Sequence, residues 1–273
     1  MSPTLTLTPP ALDLSAVAAT VERDGIAGLP GALPPDWVTR LRADFDQVDA
    51  DARAHPGGTV GRGPHRYYFC VHPERLSGFV DLVTHPYVTG LCDLMLGPDW
   101  QIAEVGFDVP LPGAQDQPWH RDFPTPHGET RLSSLAFNVT TVTVRPEMGP
   151  LQIVPGTHRD CGDDFEHGMF PREDAGYTAR AVAKLPRVGD ASVRTGLTLH
   201  RGTANRSDTS RPVLILGAVA PQADTTPHQL VLTRAYAATL PPAVLGRLKV
   251  TGLVDELTPL TQQHDIEGLQ MGG

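Results

Sequence analysis

The sequence predicts a mostly β protein with flanking helices, a sandwich or jelly roll, and three observations lead there. Beyond Trp100 the chain breaks into seven short β-like runs divided by Pro, Gly, Asp or Asn. No helical periodicity falls between successive runs, as a parallel α/β fold would require. The 27 prolines and 27 glycines are spread along the chain, the mark of many turns between short elements.

The first hundred residues are mixed. Residues 13–23 (DLSAVAATVER) place apolar groups at helical spacing behind Asp13 as N-cap, and Asp24-Gly25 closes the helix before the short apolar IAGLPG. Residues 35–53 begin with Pro35 and Asp36 and repeat Val38, Leu41, Phe45 and Val48 at steps of three or four, an amphipathic helix. The glycine-rich HPGGTVGRGP reads as a loop, HRYYFCV as a strand, and Pro86 to Leu96 as a further helix. The seven later runs are QIAEVGFDV, RLSSLAFNVTTVTV, PLQIV, ARAVAKL, ASVRT, RPVLILGAVA and HQLVLTRAY. The tail from Pro241 predicts a helix and then a weakly ordered end. A single domain over 1–273 is expected, with a helical part to about 98, a β core over about 99–240 and the tail over 241–273.

Composition narrows the function. A formal charge of -9, with no concentrated run of Lys and Arg, opposes binding to a phosphate backbone and leaves a small molecule as the expected partner. No run approaches the roughly 18 apolar residues of a membrane span, and Met1 to Pro10 carry no basic region before an apolar stretch. Cys70, Cys92 and Cys161 lack CxxC spacing and are odd in number, so neither a disulfide framework nor a thiolate zinc site is expected. A soluble protein of the reducing cytoplasm, monomeric or homodimeric, is the expectation.

The chemistry centres on DQPWHRDFP, residues 116–124. In a strand, residues two apart point to one face with Cα atoms about 6.6 Å apart, so His120 and Asp122 can converge on one cation. An imidazole and a carboxylate are two thirds of the 2-His-1-carboxylate triad that binds iron(II) on one side and leaves positions open. Such a tripeptide also arises by accident. The best placed third ligand is His200, at the end of an apolar alternation with a turn-rich loop behind it. Eleven residues on, Arg211 opens a strand, and a buried guanidinium there suits a carboxylate held in two-pronged fashion. Taken singly, His200 reads as a satisfied core histidine and Arg211 as a surface strand-end charge.

Taken together, DGIAGLPGAL, QPWHRDFP, GPLQIVPGTHR and the segment from His200 to Arg211 resemble the phytanoyl-CoA dioxygenase family of iron(II)- and 2-oxoglutarate-dependent oxygenases. That family also includes ectoine hydroxylases and many bacterial natural-product oxygenases. The likeness runs from about Val21 to Ala220. It implies a double-stranded β-helix, a cupin-like jelly roll, with His120, Asp122 and His200 holding Fe(II). It further implies that Arg211 anchors 2-oxoglutarate and that O2 is the second co-substrate. Related halogenases lack the carboxylate ligand, so Asp122 favours hydroxylation or a related oxidation.

Around this centre, Thr203 is a candidate for the co-substrate, and Gln117 and Arg66 for the substrate. By strand alternation Trp119, Arg121 and, unless a bulge intervenes, Gln117 face away from the metal. His158 reads as a turn-capping group and not a ligand. Gly57 to Arg66 and FEHGMFPRED have the composition of lids, and also of any solvated loop; Arg62, Arg66 and Arg172 are placed to meet an anionic substrate. Two other classes compete: a jelly-roll isomerase or hydrolase using the same ligands without Arg211, and a non-catalytic metabolite-binding protein.

Overall fold

The structure is a computed structural model that describes residues 13–122, 132–160, 165–166, 168–221, 223 and 228–262. Cys161, Phe123, Pro124 and His167 lie outside the described residues. In chain order the elements are α1 (Leu14–Asp24), β1 (Ile26–Leu29), α2 (Pro35–Ala54), β2 (Val60–Gly61), β3 (Arg66–Cys70), α3 (Phe79–Val83), α4 (Pro86–Leu96) and β4 (Gln101–Pro110). The β-rich half follows as β5 (Ser134–Thr140), β6 (Leu151–Ile153), β7 (Phe165–Glu166), β8 (Phe170–Pro171), α5 (Tyr177–Arg180), β9 (Val182–Ala183), β10 (Ala191–Arg194), β11 (His200–Gly202) and β12 (Val213–Val219). The chain ends through β13 (Val231–Thr233), α6 (Arg234–Thr239), α7 (Pro242–Leu245) and β14 (Gly252–Val254).

Two sheets form the jelly roll. The larger has the order β1-β10-β5-β12-β4-β3-β2 and the smaller β11-β6-β9. Alternation along the large sheet separates two environments. Val105, Phe107, Phe137, Val139, Val193, Leu214, Leu216 and Phe69 pack against the helices in one continuous core, with Phe107 edge-on to Phe45 of α2 at 5.0 Å between ring centroids. The other face, turned toward the small sheet, carries Glu104, Gly106 and Asp108 of β4, Asn138 of β5, Ser192 and Arg194 of β10, and Arg66, Tyr68 and Cys70 of β3.

The helices form for the reasons the sequence suggests. Asp13 accepts from the Ala16 N–H at 2.9 Å, and Gly25 closes α1 at φ 80° with its N–H 2.7 Å from the Val21 carbonyl. Gly25 is required twice over, because a Cβ there would also sit 2.1 Å from the Thr198 Oγ1 and 2.7 Å from the His158 Nδ1. His158 Nε2 donates to the Glu22 carbonyl at 3.0 Å, and the Gly156 N–H to the Asp24 carbonyl at 2.9 Å. The sequence segments DGIAGLPGAL and GPLQIVPGTHR therefore touch, and His158 is a structural tie between α1 and the turn after β6.

Some expectations are corrected. HQLVLTRAY is not one strand: the Thr233 hydroxyl accepts from the Tyr236 N–H at 3.0 Å and starts α6 at Arg234. RLSSLAFNVTTVTV pairs only to Thr140, whose hydroxyl turns back to the Val142 carbonyl at 3.0 Å. ARAVAKL is split between α5 and the two-residue β9. The tail helix is only the four residues of α7. Beyond it β14 pairs in parallel with β13, and Gln262 accepts from the Cys70 N–H at 2.9 Å through Oε1. Among the described residues no helix is long and apolar enough to cross a membrane.

Candidate metal centre

The segment carrying His120 joins the edge of β11. His120 and His200 exchange backbone hydrogen bonds at 3.0 Å in each direction, and the Gln117 N–H reaches the Gly202 carbonyl at 2.9 Å. Three steps on one side face two on the other, so a β-bulge lies at Pro118–Trp119. It breaks the plain alternation between Gln117 and His120. The Gln117 side chain serves the backbone there: Oε1 accepts from the Gly202 N–H at 2.8 Å and Nε2 donates to the Arg62 carbonyl at 3.0 Å. Trp119 does face away, into a small core with Val154, Phe165, Tyr177 and Leu199, under the Arg201 guanidinium at 4.5 Å. Arg121 is fully buried on that side, donating to the Thr157 and Asp160 carbonyls at 2.7 and 3.0 Å.

His120, Asp122 and His200 converge, with one potential ligand atom from each within 4.8 Å of the others. Both imidazoles are buried, at 2% and 3% exposure. Each Nδ1 lies 2.9 Å from a carbonyl two residues earlier, Pro118 for His120 and Thr198 for His200. A carbonyl only accepts, so each Nδ1 carries the proton and each Nε2 keeps its lone pair for the centre. Burial, reinforced by His200, holds His120 well below the ordinary histidine range, and so neutral. Burial alone would raise the Asp122 carboxyl, but the Arg194 guanidinium holds it well below the usual carboxylate range. The Asp122 Oδ1 lies 3.2 Å from His200 Nε2, while Arg194 grips the carboxylate at 2.5 Å (Nη1 to Oδ2) and 3.3 Å (Nη2 to Oδ1). Phe170 of the β7–β8 hairpin, inside the lid candidate, lies with its ring centroid 6.1 Å from that of His120.

Along the same inner face lies a second group. Arg211 is 4% exposed, and its Nε donates to the Gly149 carbonyl at 3.0 Å. Its terminal amino groups make no hydrogen bond among the described residues. Burial and the nearby Arg66 lower its guanidinium to about 10. Arg66 donates to Asp108 Oδ2 at 3.1 Å and to the Thr203 carbonyl at 3.2 Å, and lies over Gly202, where any Cβ would collide with it. Thr203 Oγ1 donates to the Pro150 carbonyl at 2.7 Å. Lys184 Nζ reaches Ser192 Oγ at 2.5 Å, and burial, with Arg194 and Arg211 nearby, lowers it to about 7. Three arginines, Arg66, Arg194 and Arg211, with Lys184 beside them, thus share this wall with the carboxylates Asp108 and Asp122, while Glu104 of the same face is matched by His228 at 4.0 Å. Sequence reasoning missed Arg194 and Lys184; the signal for Arg194 was a charge on the inward beat of the strand ASVRT.

Two imidazoles and a carboxylate gathered on one side, without cysteine, suit a catalytic divalent iron site, not a closed structural zinc site. Fold and centre together define a jelly-roll protein of the 2-His-1-carboxylate kind. The phytanoyl-CoA dioxygenase family model matches residues 21–213, and the chain belongs to that family. It is 29% identical over 151 residues to an ectoine dioxygenase of Nocardia farcinica, covering 52% of this chain and 50% of that one. It is 31% identical over 165 residues to the dioxygenase easH of Epichloe festucae var. lolii, covering 56% and 71%. The chain spans about half the length of three ectoine dioxygenases that it matches. Among solved structures, the epimerase SnoN in complex with Fe3+, alpha ketoglutarate and nogalamycin RO superposes with TM-score 0.62 at 23% identity over 93% of this chain and 96% of that one. EctD from S. alaskensis, solved with 2-oxoglutarate and 5-hydroxyectoine, superposes with TM-score 0.61 at 18% identity over 78% of each.

Proposed function

We propose that this chain is an iron(II)- and 2-oxoglutarate-dependent dioxygenase that oxidises a C–H bond of a small metabolite. The observation that carries the reading is one inner wall holding a His-Asp-His centre beside an excess of buried cations, with Arg211's terminal amino groups unspent. Burying cations without anions is costly. A dianion such as 2-oxoglutarate, lying between the centre and Arg211, offsets that excess.

His120, Asp122 and His200 would hold Fe(II), and Arg211 the distal carboxylate of 2-oxoglutarate. Iron held there would supply, with O2, the oxidising power for removing a hydrogen atom from the substrate, coupled to conversion of 2-oxoglutarate to succinate and carbon dioxide. The chain's own residues do the rest. The Nδ1 bonds fix both imidazole orientations, and Gln117 and Thr203 hold the bulge and the loop after β11. Arg66, paired with Asp108, stiffens the anchor end, and Phe170 excludes water beside His120. The dioxygenase names of the relatives, and the iron and alpha ketoglutarate bound in SnoN, support the same cofactors here. A role in natural-product biosynthesis, in the cytoplasm, as a monomer or homodimer without nucleic acid, completes the reading.

The test is anaerobic titration of Fe(II) and 2-oxoglutarate into metal-free protein, then oxygen and assay of succinate. The expected result is a charge-transfer band and succinate release, both weakened in Asp122→Ala and Arg211→Ala. A protein that shows no band, yet performs metal-dependent isomerisation or hydrolysis indifferent to Arg211→Ala, would overturn the reading in favour of the isomerase or hydrolase class.

A further inference from the structure

Arg194 distinguishes the two oxygens of Asp122. Its backbone is locked between β1 and β5, pairing with Ile26 on one side and Ala136 on the other, and its side chain is 6% exposed. From that fixed base Nη1 sits 2.5 Å from Oδ2 and Nη2 3.3 Å from Oδ1. The other side of Oδ1 faces His200 Nε2 at 3.2 Å. Oδ1 therefore belongs to the imidazole side of the centre, and Oδ2 to the guanidinium. A carboxylate ligates a cation through one oxygen or both, and ligation through both requires the outer oxygen to turn toward the ion. A charge-assisted bond at 2.5 Å from a buried fork withholds it.

Resting on the metal-centre reading above, we infer that Arg194 is a positioning residue that restricts Asp122 to ligation through Oδ1 alone. The consequence is arithmetic. Three protein atoms on an octahedral ion leave three positions; a fourth, from Oδ2, would leave two. A chelating co-substrate takes two, so only the restricted carboxylate keeps one position beyond it. The part of Arg194 is thus to preserve an open coordination position while Arg211 serves the far end of the co-substrate.

The experiment loads the full chain with Mn(II) and counts exchangeable water ligands by the broadening of its electron paramagnetic resonance lines in 17O-enriched water. Native protein and Arg194→Lys, which keeps a charged donor of nearly the same reach for Oδ2, are expected to hold three waters, and one after 2-oxoglutarate is added. Arg194→Met and Arg194→Leu are expected to hold two, and none after 2-oxoglutarate. A native count of two, or three waters retained in a folded Met or Leu variant, overturns the inference; the native count decides even where a variant does not fold. Native protein that binds no Mn(II) removes the metal-centre reading itself, a result distinct from a wrong count.

Discussion

Each side chain at the centre is set by a few neighbours, so its replacement has a definite direction. Arg211 offers terminal amino groups that no described residue takes up, and losing a charge-assisted pair costs about 1.5–3 kcal/mol, roughly 10- to 100-fold in binding. Arg211→Ala is expected to raise the 2-oxoglutarate dissociation constant by about that factor while leaving Fe(II) affinity nearly unchanged, read by titration of each in turn. Lys184 gives a pH signature. The residue is half-buried, but its ammonium lies inside and titrates at about 7, below the ordinary lysine value of 10.5. Between those pH values the unfolded chain binds the extra proton, so native stability rises with pH across that window. The burial penalty is fully present below pH 7 and fades toward 10.5. Lys184→Met is therefore expected to melt higher than native protein at pH 6.5 without ligands, with the advantage shrinking as the pH is raised; a constant or growing difference would contradict the placement of the ammonium.

At the scale of elements, the junction of α1 with the turn after β6 stands behind the metal strand. Gly25 sits in a left-handed conformation and against Thr198, two residues before His200. The backbone term alone makes Gly25→Ala cost about 1–2 kcal/mol, and the displaced Thr198 adds to it. Because the Thr198 carbonyl orients His200, Gly25→Ala is expected to weaken metal binding as well as lower the midpoint of urea unfolding. Phe107→Ala, on the helix-facing side of β4, is expected to cost about 3–5 kcal/mol of stability with metal affinity per folded molecule unchanged. The contrast separates a face that holds the fold from a face that holds the site.

The whole molecule closes its two sheets over the centre, with ligands from the β11 edge and a clamp from β10. An ion and a dianion bound there stabilise only the closed form. At about 100-fold excess over their dissociation constants each adds about 2.7 kcal/mol. Mn(II) with 2-oxoglutarate is expected to raise the melting temperature by several degrees, with chelator reversing it, and Arg211→Ala is expected to keep the metal increment while losing that of the co-substrate. Equal increments in both proteins would detach Arg211 from the co-substrate.

The sequence by itself determined the local and periodic facts. Asp13, Pro35 and Gly25 set helix ends through capping and left-handed geometry, the heptad-like spacing of α2 set its buried face, and strand alternation separated Phe107 and Val105 from Asp108 and Glu104. The donor chemistry of His120, Asp122 and His200 was legible for the same reason: residue type and two-residue spacing are local properties. Only the tertiary structure decided the rest. The bulge beside Gln117 depends on which strand pairs with it, and α6 displaces strand because Thr233 finds an N–H to cap. Arg194 stands 72 residues from Asp122, and its grip exists only because the chain just past β10 meets the metal segment, the Asp122 N–H donating to the Gly196 carbonyl at 2.9 Å; no one-dimensional pattern encodes such a meeting.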